Sequence, residues 1–184
     1  LAVPEVLVIP IGPGGTAPTS ASAIKRFPFP TTDIPAGSWS YGKPYMAALG
    51  LGVHPISGKV FATLTATGPT VNDLKGIVYS LDPNDATPSS SDFVKEIEIP
   101  MNVVRPSSNV NVALYYDMIN HPWEAATANS VFYNNNGDNF SQHTQPVLSE
   151  VIFDRQPDGN YAMTIGERNR FHDLVNGSFY VAGG

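Results

Sequence analysis

The chain has 184 residues, of which 42% are apolar and only 14% charged, with a formal net charge of −6. That length suits one domain with its own core, and the acidic balance, with no Lys/Arg cluster, excludes the dense positive surface that a nucleic-acid backbone requires. No apolar run reaches membrane-spanning length, so no membrane insertion is expected, and the absence of cysteine excludes disulfide staples and thiolate metal sites.

Seventeen prolines and sixteen glycines interrupt the chain too often for long helices, because proline removes an amide donor and glycine disfavours regular structure. The sequence therefore reads as all-β. Val6 to Ile11 is a short β-branched run closed by Gly12-Pro13-Gly14-Gly15, a buried strand and its turn. Ala23 to Phe29 alternates and then meets Pro30, which suits an edge strand. Thr31 to Lys43 is expected to be loop. Tyr45 to Pro55 and Val60 to Thr67 form a hairpin about Ile56-Ser57-Gly58-Lys59, followed by a strand over Gly76 to Asp82 and another over Phe93 to Pro100. In the last of these, strict alternation puts Val94, Glu96 and Glu98 on one face and Phe93, Lys95, Ile97 and Ile99 on the other.

Four consecutive strands joined by short turns make a meander the size of one propeller blade. Its first strand is rich in small residues, as an inner strand crowded at a channel would be, and its last is charged, as an outer strand at the rim would be. Residues 102–145 read as an insertion, with Asn111 to Met118 the one strand-like run. Val147 to Asp154 and Tyr161 to Gly166 flank Pro157-Asp158-Gly159-Asn160, a strong hairpin signal, and Ser178 to Ala182 is a last strand. The expected fold is thus a set of β-propeller blades forming a partial propeller: residues 1–30 end one blade, 42–100 form a whole one, 101–145 are inserted, and 146–184 begin the next. A β-sandwich of jelly-roll type uses the same strands and is the alternative.

The runs Gly42-Lys43-Pro44-Tyr45-Met46-Ala47-Ala48, Gly58-Lys59-Val60-Phe61-Ala62 and Asn72 through Pro83 resemble blades in the propeller-like region of large bacterial surface proteins, which often also carry SdrD B-like repeats. Gln145 through Asp154 and Asp158 through Arg170 resemble the next blade of that region. The resemblance implies a secreted or cell-surface protein with an adhesive or structural role, and it carries over no active residues. The family continues through further blades where this sequence stops. With Leu1-Ala2-Val3 at its start and fewer than the roughly four blades that close a ring, the chain is expected to be part of a longer polypeptide or to assemble with partners.

Glu167, Arg168, Arg170 and His172 form the densest polar cluster and are the candidate ligand site: an acid, two guanidiniums and an imidazole suit an anionic ligand. The plain reading has the arginines tying a strand end to neighbouring carbonyls. Asn134, Asn136 and Asp138 offer the hard oxygens that calcium takes, although Phe132 falls where the Asp-rich loop signature needs its first ligand. No cofactor is otherwise expected. His54, His121, His143 and His172 lie at no metal-ligand spacing and read as turn or surface residues. Asn139-Phe140-Ser141 and Asn176-Gly177-Ser178 match the N-glycosylation pattern. Trp39, Tyr41, Trp123 and Tyr133 in loops suit contact with carbohydrate or a protein partner. No Gly-x-Ser-x-Gly elbow or phosphate loop occurs.

The function expected from the sequence is an extracellular structural or adhesive module that associates with itself or with other fragments of the same polypeptide. A propeller hydrolase acting on polysaccharide or lactone through the Glu167–His172 cluster, and a filament or capsid-like sandwich subunit, are the alternatives.

Overall fold

The computed structural model describes residues 3–35, 38–39, 43–44, 46–68, 70–102 and 146–169. Half of these residues lie in strands, all paired antiparallel, and none of the sheets closes into a barrel. The all-β expectation holds at that level.

At the centre are β6 (Val60–Ala66) and β7 (Lys75–Leu81), buried on both faces. Their flanks are β5 (Met46–Val53) and β8 (Val94–Pro100), so the four run in sequence order as a meander. β6 shows why both its faces are covered. Ala62, Leu64 and Ala66 project from one side and Thr63 and Thr65 from the other, all fully buried. The first set requires an apolar layer, and the second requires hydrogen-bond partners, because a buried hydroxyl without one is costly.

The apolar side is covered by an N-terminal hairpin of β1 (Glu5–Val8) and β2 (Lys25–Pro28). Val6 and Phe27 face each other across that ladder and enter one core with Leu64, Ile77, Tyr79 and Leu81. Just beyond β2, Phe29 stacks on Phe93 at 4.7 Å between ring centroids and meets Tyr79 edge-on at 6.1 Å. The β-branched run thus ends as strand at Val8, and Ile9 and Ile11 are exposed beyond it. Within the expected loop, Ser38–Trp39 (β3) and Lys43–Pro44 (β4) form a short ladder of their own.

The threonine side is covered by β9 (Pro146–Arg155) and β10 (Tyr161–Asn169), joined through the Asp158-Gly159 turn that the sequence announces. Leu148 of β9 donates its amide to Thr65 Oγ1 at 2.9 Å, and its carbonyl accepts from Thr63 Oγ1 at 3.2 Å. Thr63 Oγ1 also accepts the Gly50 amide at 2.8 Å. Backbone can come this close only because β5 is bare here. A Cβ on Gly50 would lie 2.8 Å from the Glu150 nitrogen, and one on Gly52 would overlap the Val151 carbonyl oxygen. Leu148 continues into a second apolar cluster with Leu74 and Met101, against which Ile165 packs. The four-stranded sheet therefore lies between two hairpins.

Strand β8 departs from strict alternation. Its register with β7 shifts between Val78 and Tyr79, so that Ile97 faces Val78 while Lys95 faces Tyr79. Glu96 is the extra residue, a bulge, and its carboxylate accepts from Ser80 Oγ at 2.5 Å. Lys95 and Glu98 consequently share one side, where period two puts them on opposite sides.

Two substitutions test this packing. Thr65→Val keeps shape but strips the Leu148 amide of its acceptor in a dry layer, so urea unfolding is expected to show a loss of about 1–3 kcal/mol. Gly52→Ala is expected to cost about 1–3 kcal/mol through overpacking. Thr164→Val, on an exposed position of β10, serves as control with little change. Wild-type stability in both test variants would remove the close approach of β9 as a source of stability.

Candidate functional site

Of the residues that the sequence groups together as a ligand site, Glu167 and Arg168 are among the described ones. Strand β10 runs three residues past Gly166, so Glu167 and Arg168 are strand residues facing Leu148 and Val147 of β9. Both are exposed. Successive strand residues project to opposite faces, which places Glu167 and Arg168 on opposite faces of β10. Arg170 and His172 lie outside the described residues, as do Asn134, Asn136 and Asp138, His121 and His143, and Tyr41, Trp123 and Tyr133. Trp39 is in β3, but its side chain also falls outside the described part.

What the fold does assemble is a ring cluster around His54. The β5–β6 turn holds this histidine by two backbone hydrogen bonds, His54 N–H to the Lys59 carbonyl and Gly58 N–H to the His54 carbonyl, each 2.9 Å. The Ser57 amide donates to its Nδ1 at 3.2 Å. With Nδ1 an acceptor, the neutral ring carries its proton on Nε2. From the neighbouring layer, Phe153 of β9 and Tyr161 of β10 meet the imidazole edge-on, at 5.1 and 5.4 Å between centroids. Phe61 of β6 completes the group, 4.9 Å from Phe153. All four side chains are half-buried. The cluster closes the end of the interface between β5–β6 and β9–β10, and it leaves an apolar ring surface beside two polar turns. Such a surface can stack on a sugar ring or a partner's side chain.

A second group lies on the opposite side of the sheet. Asp33, in the segment after β2, accepts the Tyr79 hydroxyl at 2.8 Å and pairs with Lys95 at 2.8 Å. Lys95 also reaches Glu98 at 3.3 Å, and Glu98 pairs with Lys75 at 3.3 Å. The Lys95 ammonium and then the Tyr79 hydroxyl hold the Asp33 carboxyl below its ordinary value. Burial, and then the hydrogen bond to Asp33, push the Tyr79 hydroxyl well above its usual range. Lys95 is raised by its hydrogen bonds to Asp33 and Glu98. Every one of these shifts favours the protonation state already present at neutral pH. The group is a clamp that fastens the segment after β2 to the sheet, with Asp33, Tyr79 and Lys95 each held in its neutral-pH protonation state.

The sequence gives partial notice of both groups. Phe153 and Tyr161 flank the Asp-Gly turn at positions its register would bring to one side, and His54 borders a hairpin turn. Their meeting depends on which way β9 crosses β5, and Asp33 meets Lys95 only because of the bulge at Glu96.

No protein-family model, curated protein or solved structure matches the chain. Among the described residues no three His, Asp or Glu side chains gather as a metal site would require, and no helix is long and apolar enough to cross a membrane.

The clamp gives a pH prediction. Asp33 has a depressed folded pKa, so its contribution is present above the unfolded carboxylate value of about 3.9 and is lost as pH falls through the folded value. Tyr79 has a raised one, so its contribution is present below about 10 and is lost as pH rises further. Asp33→Asn is expected to lower the melting temperature at pH 7, and the gap from wild type is expected to close in strong acid. A gap of constant size from pH 7 down to pH 2 would show that the Asp33 charge does not fasten the segment.

Proposed function

We propose that the chain is an extracellular structural or adhesive module, built of propeller-like blades, that binds or assembles with other chains. The observation carrying this reading is the stacking of layers. A complete four-stranded meander is covered face to face by a hairpin on each side, and each hairpin turns an exposed apolar residue outward: Leu7, 46% exposed, on β1 and Ile152, 43% exposed, on β9. Adjoining blades of a propeller meet in this way, with the outer sheets of an incomplete stack awaiting a neighbour. The scarcity of charge and the wealth of Asn, Ser and Thr support a place outside the cell. The half-buried rings around His54 suit a carbohydrate or protein contact.

A second reading has its own observation. β9 lies across β5 and β6 through backbone contacts at Gly50 and Gly52, which two sheets of a sandwich also achieve, so a filament or capsid-like subunit fits the same layers. The hydrolase alternative rests on the cluster Glu167, Arg168, Arg170 and His172, of which Glu167 and Arg168 are among the described residues.

Sedimentation across a wide concentration range tests assembly. Species heavier than the 19.7 kDa single chain are expected at high concentration, and a single chain throughout would overturn assembly with itself. Antibody labelling of intact source cells tests location, with signal expected before permeabilisation. Labelling only after permeabilisation would overturn the extracellular assignment.

A further inference from the structure

We propose that the outer edge of β5 is the surface along which two copies of this chain pair, strand to strand and antiparallel. The inference rests on the assembly reading above and names the surface that performs it.

An edge strand offers a row of backbone donors and acceptors that a second strand can complete, and proteins that avoid such pairing place charge, proline or a bulge there. β8 shows these devices: Lys95, Glu96 and Glu98, a bulge, and Pro100 at its end. β5 at the other edge has the sequence Met-Ala-Ala-Leu-Gly-Leu-Gly-Val, with neither charge nor proline over eight residues; its own register shift, between Ala48 and Leu51, lies in its ladder with β6. Among the described residues no strand pairs with its outer side. Leu49, Leu51 and Val53 are 48, 56 and 61% exposed, which is unusual company for an unpaired ladder about 27 Å long.

Charge selects the occupant. Each chain carries a net −6, so two copies repel unless they meet where charge is absent. Among the described edge strands longer than two residues, β1, β2, β8, β9 and β10 all carry ionisable side chains, and β5 alone carries none. The strand is also suited to meet itself. Antiparallel pairing about a two-fold axis at Gly50 sets Leu49 of each copy against Leu51 of the other. The Gly50 amide is already turned to Thr63 Oγ1 at 2.8 Å, so the central pair is one without mutual backbone hydrogen bonds. Such pairs approach most closely, and glycine there leaves room.

Sedimentation velocity on wild type, Leu51→Lys, Leu49→Lys and, as control on the opposite edge, Val94→Lys tests the proposal. Wild type and Val94→Lys are expected to shift with concentration from 19.7 kDa to twice that mass, and both leucine variants to remain single chains with unchanged circular dichroism. Hydrogen exchange on wild type supplies a check free of mutation: β5 amides are expected to gain protection in concentrated samples relative to dilute ones, and β8 amides to show no such change. Association of Leu51→Lys and Leu49→Lys equal to wild type, or protection that rises elsewhere and not on β5, would overturn the β5 edge while leaving assembly standing. A wild type that stays a single chain at every concentration would overturn both.

Discussion

Two buried threonines set the terms on which this protein folds. Thr63 and Thr65 stand on a strand buried on both faces, and their hydroxyls need partners that an apolar layer could not give. The amide and carbonyl of Leu148 supply them from 83 and 85 residues further along the chain. That demand brings backbone, and not side chains, to the sheet surface. The surface must then be stripped of Cβ atoms where the backbone crosses, which is the role of Gly50 and Gly52. Once Leu148 is seated, its own side chain joins Leu74 and Met101, and the rest of the hairpin follows down to the rings about His54.

The two faces of the sheet are consequently held by different physics. On the N-terminal side the contact is apolar and aromatic, with Phe27 and Phe29 filling the space over Ile77 and Tyr79. Area removed from water stabilises it, and at its margin the Asp33 clamp fixes the entering segment. On the C-terminal side a polar, directional contact fixes position and the apolar cluster adds area. A directional contact tolerates little slippage, because shifting β9 by one residue would take the Leu148 amide from Thr65 and the Leu148 carbonyl from Thr63. Under the proposed assembly, a stack that presents the same outer surfaces to partners needs its layers in a fixed register.

Much of the meander was legible from local pattern. Turn chemistry at Gly58 and at Asp158-Gly159 marked both hairpins, and the central strands fell where β-branched runs lay between prolines. The alternation of β8 breaks past Glu96, and a bulge leaves no mark in a run of alternating charges. It depends on Ser80 and Tyr79 of the neighbouring strand. Of the cluster Glu167, Arg168, Arg170 and His172, only the first two are among the described residues, as neighbours on the extended backbone of β10. The groups that do converge, His54 with Phe153 and Asp33 with Lys95, come from distant segments.

Sequence by itself determined the class of the fold, the order of the strands in the sheet and the absence of charge along β5, because turns, prolines and side-chain period act over a few residues. Only the tertiary structure decided which face of the sheet each hairpin covers, where β9 crosses it and which polar groups meet. Those outcomes are set by how buried hydroxyls and backbone groups far apart in the chain satisfy one another, and no local pattern encodes a hydrogen bond between Thr65 and Leu148.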